Sequence, residues 1–269
     1  MKTVALIGYP LGHTLSPAMH NAGYKYLGLD YEYVALEVPP EDLSQAVDGL
    51  RALHFAGFNV TIPHKEKVVP LLDEITPLAR QIGAVNTVQN QEGKLIGFNT
   101  DGPGFIESLH QDARFDPKGK KAVILGAGGA GRAVALSLLQ NEAKEIVLYD
   151  AIAEKAEKLA ENIAQKASQD LQKEINRADL LVNCSPIGMH PKTGESPLPE
   201  SIKLHRKLMV YDIVYNPAET KLLRSAKAAG AKAFSGLGML VRQGALAFTV
   251  FTGKPAPLKV MFQAAQESL

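Results

Sequence analysis

The sequence predicts an α/β protein, with mostly parallel sheets covered by helices and divided into two domains. Three observations predict it. Short apolar runs of strand character alternate with amphipathic helical stretches from the first residues onward, the pattern of a sheet layered with helices. The run Val123-Ile124-Leu125 feeds directly into Gly126-Ala127-Gly128-Gly129-Ala130-Gly131, and a helical pattern with Val134, Leu136, Leu138 and Leu139 follows. The length, 269 residues, suits two domains of ordinary size.

Taken in order, residues 3–7 read as a short buried strand closed by Gly8-Tyr9-Pro10. Ser16-Pro17 reads as a helix start, with Ser16 as N-cap and Pro17 in the first turn. A strand over 31–36, a helix over 41–53 with Leu43, Val47 and Leu50 inward, and a strand over 55–60 continue the alternation. Pro63 ends that strand; helices are expected from about residue 65 and over 76–82. Strands over 84–89 and 94–98 flank Asn90-Gln91-Glu92-Gly93, a hairpin-type turn. A helix over 101–110 leads out, and Asp116-Pro117-Lys118-Gly119 links to the glycine-rich half. Beyond the glycines come a strand over 146–149, a charged amphipathic helix over 153–167, and strands over 180–183 and 208–213. The segment 186–199, rich in Pro, Gly and Ser, is loop. A helix over 221–229, a strand over 232–234 and helices over 240–251 and 257–266 complete the chain, the last two expected to return to the first domain.

Gly126, Gly128 and Gly131 fall on the G-x-G-x-x-G spacing. The first glycine serves a tight turn, the second lets a pyrophosphate approach the backbone, and the third lets the helix pack on its strand. The helix N-terminus then offers N–H groups and a partial positive charge to phosphates. The next strand ends in Asp150, near the interval of about 20 residues at which a carboxylate bonds a ribose 2′-hydroxyl. A structural glycine turn with a surface aspartate is the plainer alternative. The context of strand, turn, helix and acid favours a Rossmann dinucleotide-binding domain.

Composition sets outer limits. Apolar residues make up 46% and charged residues 21%, an ordinary globular balance. Lys plus Arg number 29 against 28 Asp plus Glu, so no one-signed field favours nucleic acid or an anionic membrane. The lone cysteine, Cys184, excludes an intrachain disulfide and a cysteine metal cluster. The segment from Met1 to Pro10 does not read as a signal peptide, and no apolar run is long enough to span a bilayer, so a cytoplasmic protein is expected.

In open sheets, ligands bind beyond the carboxyl ends of parallel strands. There the first domain carries His13-Thr14-Leu15-Ser16, then Asn59 to Lys65, then Asn86 and Thr87, then Asn99, Thr100 and Asp101. Such hydroxyls, amides, one lysine and one carboxylate suit a small polyhydroxylated acid. Taken singly, Asn59 and Thr61 fit turn residues equally well, Asp101 a helix cap, Ser16 a cap and Lys65 a solvated surface lysine. His13, His20, His54 and His64 show no metal-ligand spacing, and no metal is expected.

The segment 57–65, Gly-Phe-Asn-Val-Thr-Ile-Pro-His-Lys, resembles the catalytic-lysine motif of shikimate dehydrogenases. Ile82-Gly83-Ala84-Val85-Asn86-Thr87 and Gly97-Phe98-Asn99-Thr100-Asp101-Gly102 resemble that family's next two motifs. Asn183-Cys184-Ser185-Pro186-Ile187-Gly188-Met189, Tyr211-Asp212-Ile213-Val214-Tyr215-Asn216-Pro217 and Gly236-Leu237-Gly238-Met239-Leu240 continue the likeness in the same order. The resemblance spans nearly the whole chain. It implies an N-terminal α/β substrate-binding domain of residues 1–101 with 238–269, and a Rossmann domain of residues 102–237. The active site would lie in a cleft between them. It also implies reversible hydride transfer between NAD or NADP and shikimate, within aromatic amino acid and chorismate biosynthesis, by a monomer or homodimer.

By the same resemblance, Lys65 and Asp101 form the catalytic pair. Asn59, Thr61, Asn86 and Gln243 hold ring hydroxyls, while Thr14, Ser16 and Tyr215 hold the carboxylate. The cofactor contacts it implies are Gly126, Ala127, Gly128, Gly129, Ala130, Gly131, Asp150, Cys184, Ile213, Gly236 and Met239. An unperturbed lysine, near ~10.4, is a poor base at neutrality. Lys65 is therefore expected to position the reacting oxygen and stabilise its charge, whether or not it also moves the proton. Two departures matter. The family commonly has serine at both positions of the pair Thr14-x-Ser16, which bears on shikimate against quinate. Many members carry Asn-Arg-Thr where this chain has Asp150-Ala151-Ile152, and a carboxylate there repels a 2′-phosphate, so NAD is expected over NADP. A quinate or dual dehydrogenase is the alternative enzyme, and a non-catalytic dinucleotide sensor the remote one.

Overall fold

The structure, a computed structural model, describes residues 1–12 and 14–269. His13 therefore lies outside the described residues. The chain divides into two compact units, unit 1 comprising Met1–Gly104 and Val241–Leu269, unit 2 comprising Phe105–Leu240.

Unit 1 contains strands β1 (Lys2–Gly8), β2 (Tyr31–Glu37), β3 (Gly57–Val60), β4 (Glu74–Ile75), β5 (Thr87–Gln91) and β6 (Lys94–Phe98). Its helices are α1 (Ser16–Tyr26), α2 (Leu43–Ala52) and α3 (Pro77–Ile82). The first turn of α4 (Asp101–Gln111), most of α9 (Leu237–Thr252) and α10 (Leu258–Glu267) also belong to it. The six-stranded sheet runs β2-β1-β3-β5-β6-β4. β1 is parallel to β2 and β3, whereas β5 is antiparallel to both β3 and β6. The alternation predicted from the sequence is thus interrupted by a hairpin whose turn is Glu92-Gly93, both at positive φ. One core cluster gathers Ala5, Ile7, Phe58, Val60, Val85, Val88 and Leu95 of the sheet region under Leu43, Val47 and Leu50 of α2.

Unit 2 contains β7 (Lys121–Leu125), β8 (Glu145–Tyr149), β9 (Lys166–Ala167), β10 (Leu180–Asn183), β11 (Met209–Asp212) and β12 (Lys232–Ser235). Between them lie α5 (Gly129–Gln140), α6 (Ala153–Asn162), α7 (Leu171–Ile175) and α8 (Lys221–Ala228). The sheet order is β12-β11-β10-β7-β8-β9 with every pairing parallel. The strand order reverses between β7 and β10, the switch point of a doubly wound fold. β7 and β10 are buried along their whole length, as a sheet covered on both faces requires. Two clusters cover the faces, one around Ile124, Val134, Leu138 and Tyr211, the other around Val123, Leu181, Val210 and Leu222. Among the described residues no helix is long and apolar enough to cross a membrane.

Several local expectations are corrected. No α-helix begins near Lys65: the segment forms turns and a 3₁₀ turn at Val69–Leu71, because Pro70 removes an N–H and disfavours helical backbone just before it. The strand expected over 84–89 starts at Thr87. The helix expected to reach residue 167 stops at Asn162, where Ala164 takes φ 52° and Gln165 N–H closes on Ala160 O at 2.8 Å. That left-handed position usually holds glycine, so the stop left no mark in the sequence. The short elements β4, β9 and α7 were not anticipated. Ser16 is the first helical residue of α1 rather than its cap, and no side chain caps that helix.

At the amino ends of β7 and β8 sits a buried charge cluster. Glu174 of α7, 1% exposed, binds Lys121 Nζ at 2.5 Å and is also paired with Lys166, while Lys121 reaches Glu145 at 3.1 Å. Burial alone would push the Glu174 carboxyl up, but the hydrogen bonds and charges of the two lysines outweigh it and hold it down to about 2. A depressed carboxyl adds stability above its unfolded value and loses it as pH falls toward 2. Glu174→Gln leaves Lys121 buried with one acceptor fewer. It should cost about 3 kcal/mol in thermal or denaturant unfolding at neutral pH, with the gap from the wild type closing below about pH 4.

Candidate active site

The antiparallel hairpin explains why polar groups collect at one edge of the unit 1 sheet. Because β5 runs against β3 and β6, its amino end meets their carboxyl ends. Asn59 pairs across from Thr87, and Thr87 across from Phe98, so residues 59–65, 86–87 and 99–101 meet although they are distant in sequence.

Lys65 Nζ donates to Asp101 Oδ2 at 2.6 Å, and both side chains are largely withdrawn from solvent, 16% and 6% exposed. Local anchors hold the pair. The fully buried His64 ring meets Val38 O at 2.7 Å, and Val85 N–H donates to Lys65 O at 2.8 Å, fixing the turn that carries the lysine. Asp101 opens α4, yet it does not cap it. Asn99 Oδ1 accepts the N–H groups of Asp101 at 3.1 Å and Gly102 at 3.3 Å, while Asn99 Nδ2 donates to Ala84 O at 3.0 Å. The Asp101 carboxylate is thereby left to Lys65 through one oxygen and to Asn86 Nδ2, at 2.9 Å, through the other.

Asn86, 2% exposed, is the hub. Its Oδ1 accepts Thr100 N–H at 2.7 Å and the Thr87 hydroxyl at 3.2 Å. Its Nδ2 faces Asp101, Thr100 Oγ1 at 2.8 Å and Gln243 Oε1 at 3.3 Å. Gln243, from α9, thus joins the group, its Oε1 also accepting the Thr100 hydroxyl at 3.5 Å. Asn59 is engaged in the same way. Its Nδ2 donates to Asn86 O and to Thr87 Oγ1, each at 2.9 Å, and its Oδ1 accepts the Tyr33 hydroxyl at 2.8 Å. An amide has two N–H donors; those of Asn59, like those of Asn86, are engaged within the protein, and they brace the neighbouring strands. Thr61 is half-buried in the turn after β3, and Thr14 accepts the Ser16 N–H at 3.3 Å. Tyr33 was missed by sequence reasoning, since nothing distinguishes it from the other aromatics of β2.

In unit 2 the glycine turn joins β7 to α5. Gly126 takes φ 102°, closed to most side chains, and a Cβ on Gly131 would strike the Gly126 carbonyl. A Cβ on Gly128 would meet open space, and no side chain caps α5, whose first turn includes Gly129 and Ala130. This turn fits a pyrophosphate: its glycines clear the approach and its helix terminus offers N–H donors. Asp150 Oδ2 accepts Ala127 N–H at 2.8 Å and Oδ1 accepts Ile152 N–H at 2.9 Å, so the acid shapes the turn. Cys184 N–H donates to Leu125 O at 2.7 Å, beside Gly126. Gly236 lies against the Ile213 carbonyl, where any Cβ would collide. Met239 is 6% exposed and packed in the core, and Tyr215 is half-buried on the loop after β11.

Comparison with known proteins matches three family models to the chain. The shikimate dehydrogenase substrate binding domain matches residues 6–88, shikimate / quinate 5-dehydrogenase residues 108–218, and the shikimate 5′-dehydrogenase C-terminal domain residues 236–266. The chain is 50% identical to shikimate dehydrogenase (NADP(+)) of Methanopyrus kandleri, over all of this chain and 96% of that one. Among solved structures, shikimate 5-dehydrogenase of Thermus thermophilus in complex with NADP(H) and shikimate superposes with a TM-score of 0.92 at 41% identity, covering 100% of both chains. Shikimate 5-dehydrogenase of Listeria monocytogenes in complex with shikimate and NAD gives 0.87 at 38% identity, over 98% of this chain and 96% of that one.

Proposed function

The chain belongs to the shikimate dehydrogenase family, and on that premise we propose that it catalyses reversible hydride transfer between a nicotinamide dinucleotide, NAD or NADP, and the carbon of shikimate that becomes the ketone of 3-dehydroshikimate. The observation that carries this reading is the Lys65–Asp101 pair, at 2.6 Å, set among the amides and hydroxyls of Asn86, Thr100 and Gln243. In the oxidative direction the substrate carbon loses a hydride and its hydroxyl proton is released to solvent. The dinucleotide, when bound, accepts the hydride. Lys65 donates a hydrogen bond to the reacting oxygen and stabilises the charge that develops there. Asp101 holds the lysine in place, and Asn86 holds Asp101. Asn59, Thr61, Asn86 and Gln243 bind ring hydroxyls, the two asparagines exchanging internal hydrogen bonds for bonds to the substrate, while Thr14, Ser16 and Tyr215 take the carboxylate. The intact pair disfavours a sensor that has lost its chemistry.

On the dinucleotide side, Gly126 to Gly131 and the start of α5 hold the pyrophosphate, while Cys184, Ile213, Gly236 and Met239 bound the remaining path. The relatives lean against the expectation of NAD over NADP: the Methanopyrus protein is named for NADP(+) and the Thermus structure holds NADP(H), while the Listeria structure holds NAD. Asp150 already serves two backbone N–H groups, a role that needs no ribose hydroxyl. Its charge still opposes a 2′-phosphate.

Lys65→Met should lower kcat by about 10² or more, since positioned acid–base and electrostatic groups contribute that much. Near-normal turnover with shikimate in steady-state assays would sink the assignment. Asp150→Asn should raise kcat/KM for NADP relative to NAD by about tenfold, the effect of removing one opposed charge. An unchanged ratio would show that Asp150 only shapes the turn.

A further inference from the structure

The last residues of β10 and β11, Asn183 and Asp212, pair directly in register, and both are fully buried. Asp212 collects three donors. Oδ1 accepts Asn183 Nδ2 at 2.9 Å and Val214 N–H at 3.1 Å, and Oδ2 accepts the Thr220 hydroxyl at 2.7 Å. Thr220 in turn caps α8 by accepting Leu223 N–H at 3.3 Å. Asn183 Oδ1 accepts both the N–H of Ser185, at 3.0 Å, and its hydroxyl, at 2.7 Å. One carboxylate and one amide therefore tie down the starts of two loops, 184–189 and 213–217, and of one helix.

These loops border the proposed cofactor path. Loop 184–189 leaves β10 beside the glycine turn, with Cys184 N–H bonded to Leu125 O, and loop 213–217 presents Ile213 to Gly236. His190, the residue that follows the first loop, donates its N–H to Asn216 O of the second at 3.0 Å. A buried carboxylate is a poor way to add stability. Burial pushes the Asp212 carboxyl up to about 6 despite the hydrogen bonds of Thr220, Val214 and Asn183, and apolar replacements of buried ionic groups are often as stable. What a carboxylate supplies that an apolar group does not is directional acceptance of several donors at once.

We propose that Asp212, with Asn183 and Thr220, is a positioning residue for the dinucleotide, acting through loops 184–189 and 213–217 and touching neither cofactor nor substrate itself. The inference rests on reading unit 2 as the dinucleotide-binding domain.

The test is calorimetric titration of the full chain with NADP⁺ and with NAD⁺, well below the unfolding temperature, using whichever the wild type binds more tightly. Asp212→Asn preserves volume but turns an N–H₂ toward one of three donors. It should weaken binding at least tenfold. Thr220→Val should do likewise, whereas Thr220→Ser, which keeps the hydroxyl, should bind within twofold of the wild type. Glu174→Gln is the control for a purely structural loss: it destabilises the same unit from the opposite end of the sheet and should leave the dissociation constant within twofold. If Asp212→Asn does not fold, Thr220→Val carries the test. Variants that bind as tightly as the wild type overturn the inference alone. A wild type that binds neither dinucleotide overturns the reading of unit 2 as well.

Discussion

The Asp101 carboxylate can serve Lys65 because Asn99 has taken over the start of α4. A carboxylate at the first turn of a helix would ordinarily bond the free backbone N–H groups there. Here Asn99 Oδ1 accepts two of them, held in orientation by its own N–H₂ bond to Ala84 O. Asn86 then fixes the free carboxylate from one side and Lys65 meets it from the other. The rest of the site depends on this division of labour between three adjacent positions, 99, 100 and 101, since Thr100 supplies the N–H that orients Asn86.

That arrangement in turn depends on sheet topology. Three segments, 59–65, 86–87 and 99–101, meet only because β5 runs antiparallel between β3 and β6, which brings its first residues to the edge where its neighbours end. Unit 2 solves the corresponding problem with a fully parallel sheet whose order reverses between β7 and β10, opening a crevice beside the glycine turn. Unit 2 also holds buried charge at both ends of its sheet. Glu174 and its lysines sit at the amino ends of β7 and β8, away from the glycine turn, whereas Asp212 sits at the carboxyl ends, between the loops that border it.

Much of this was legible in the sequence. The glycine spacing announced β7, its turn and α5, and the polar clusters after the apolar runs announced Lys65, Asn86 and Asp101. What was not legible has physical reasons. The end of α6 rests on Ala164 in a left-handed conformation, where only glycine would have left a signal. The turn at Lys65 replaced an expected helix because Pro70 acts on residues before it. The bonds of Asn59 to Asn86 and Thr87 left no mark in the sequence, because they exist only once β3 and β5 pair. Tyr33 enters the site by the same cross-strand logic.

The central claim is that Lys65 and Asp101 act as one unit, with the carboxylate serving to hold the lysine on the reacting oxygen. A double-mutant cycle on kcat for shikimate oxidation tests it most directly, using Lys65→Met, Asp101→Asn and the two together. Residues that act as a unit are strongly non-additive. The account predicts that the double variant is about as slow as the slower single variant, a coupling of about 2 kcal/mol or more. Losses that simply add would show that each residue contributes on its own, and would contradict it.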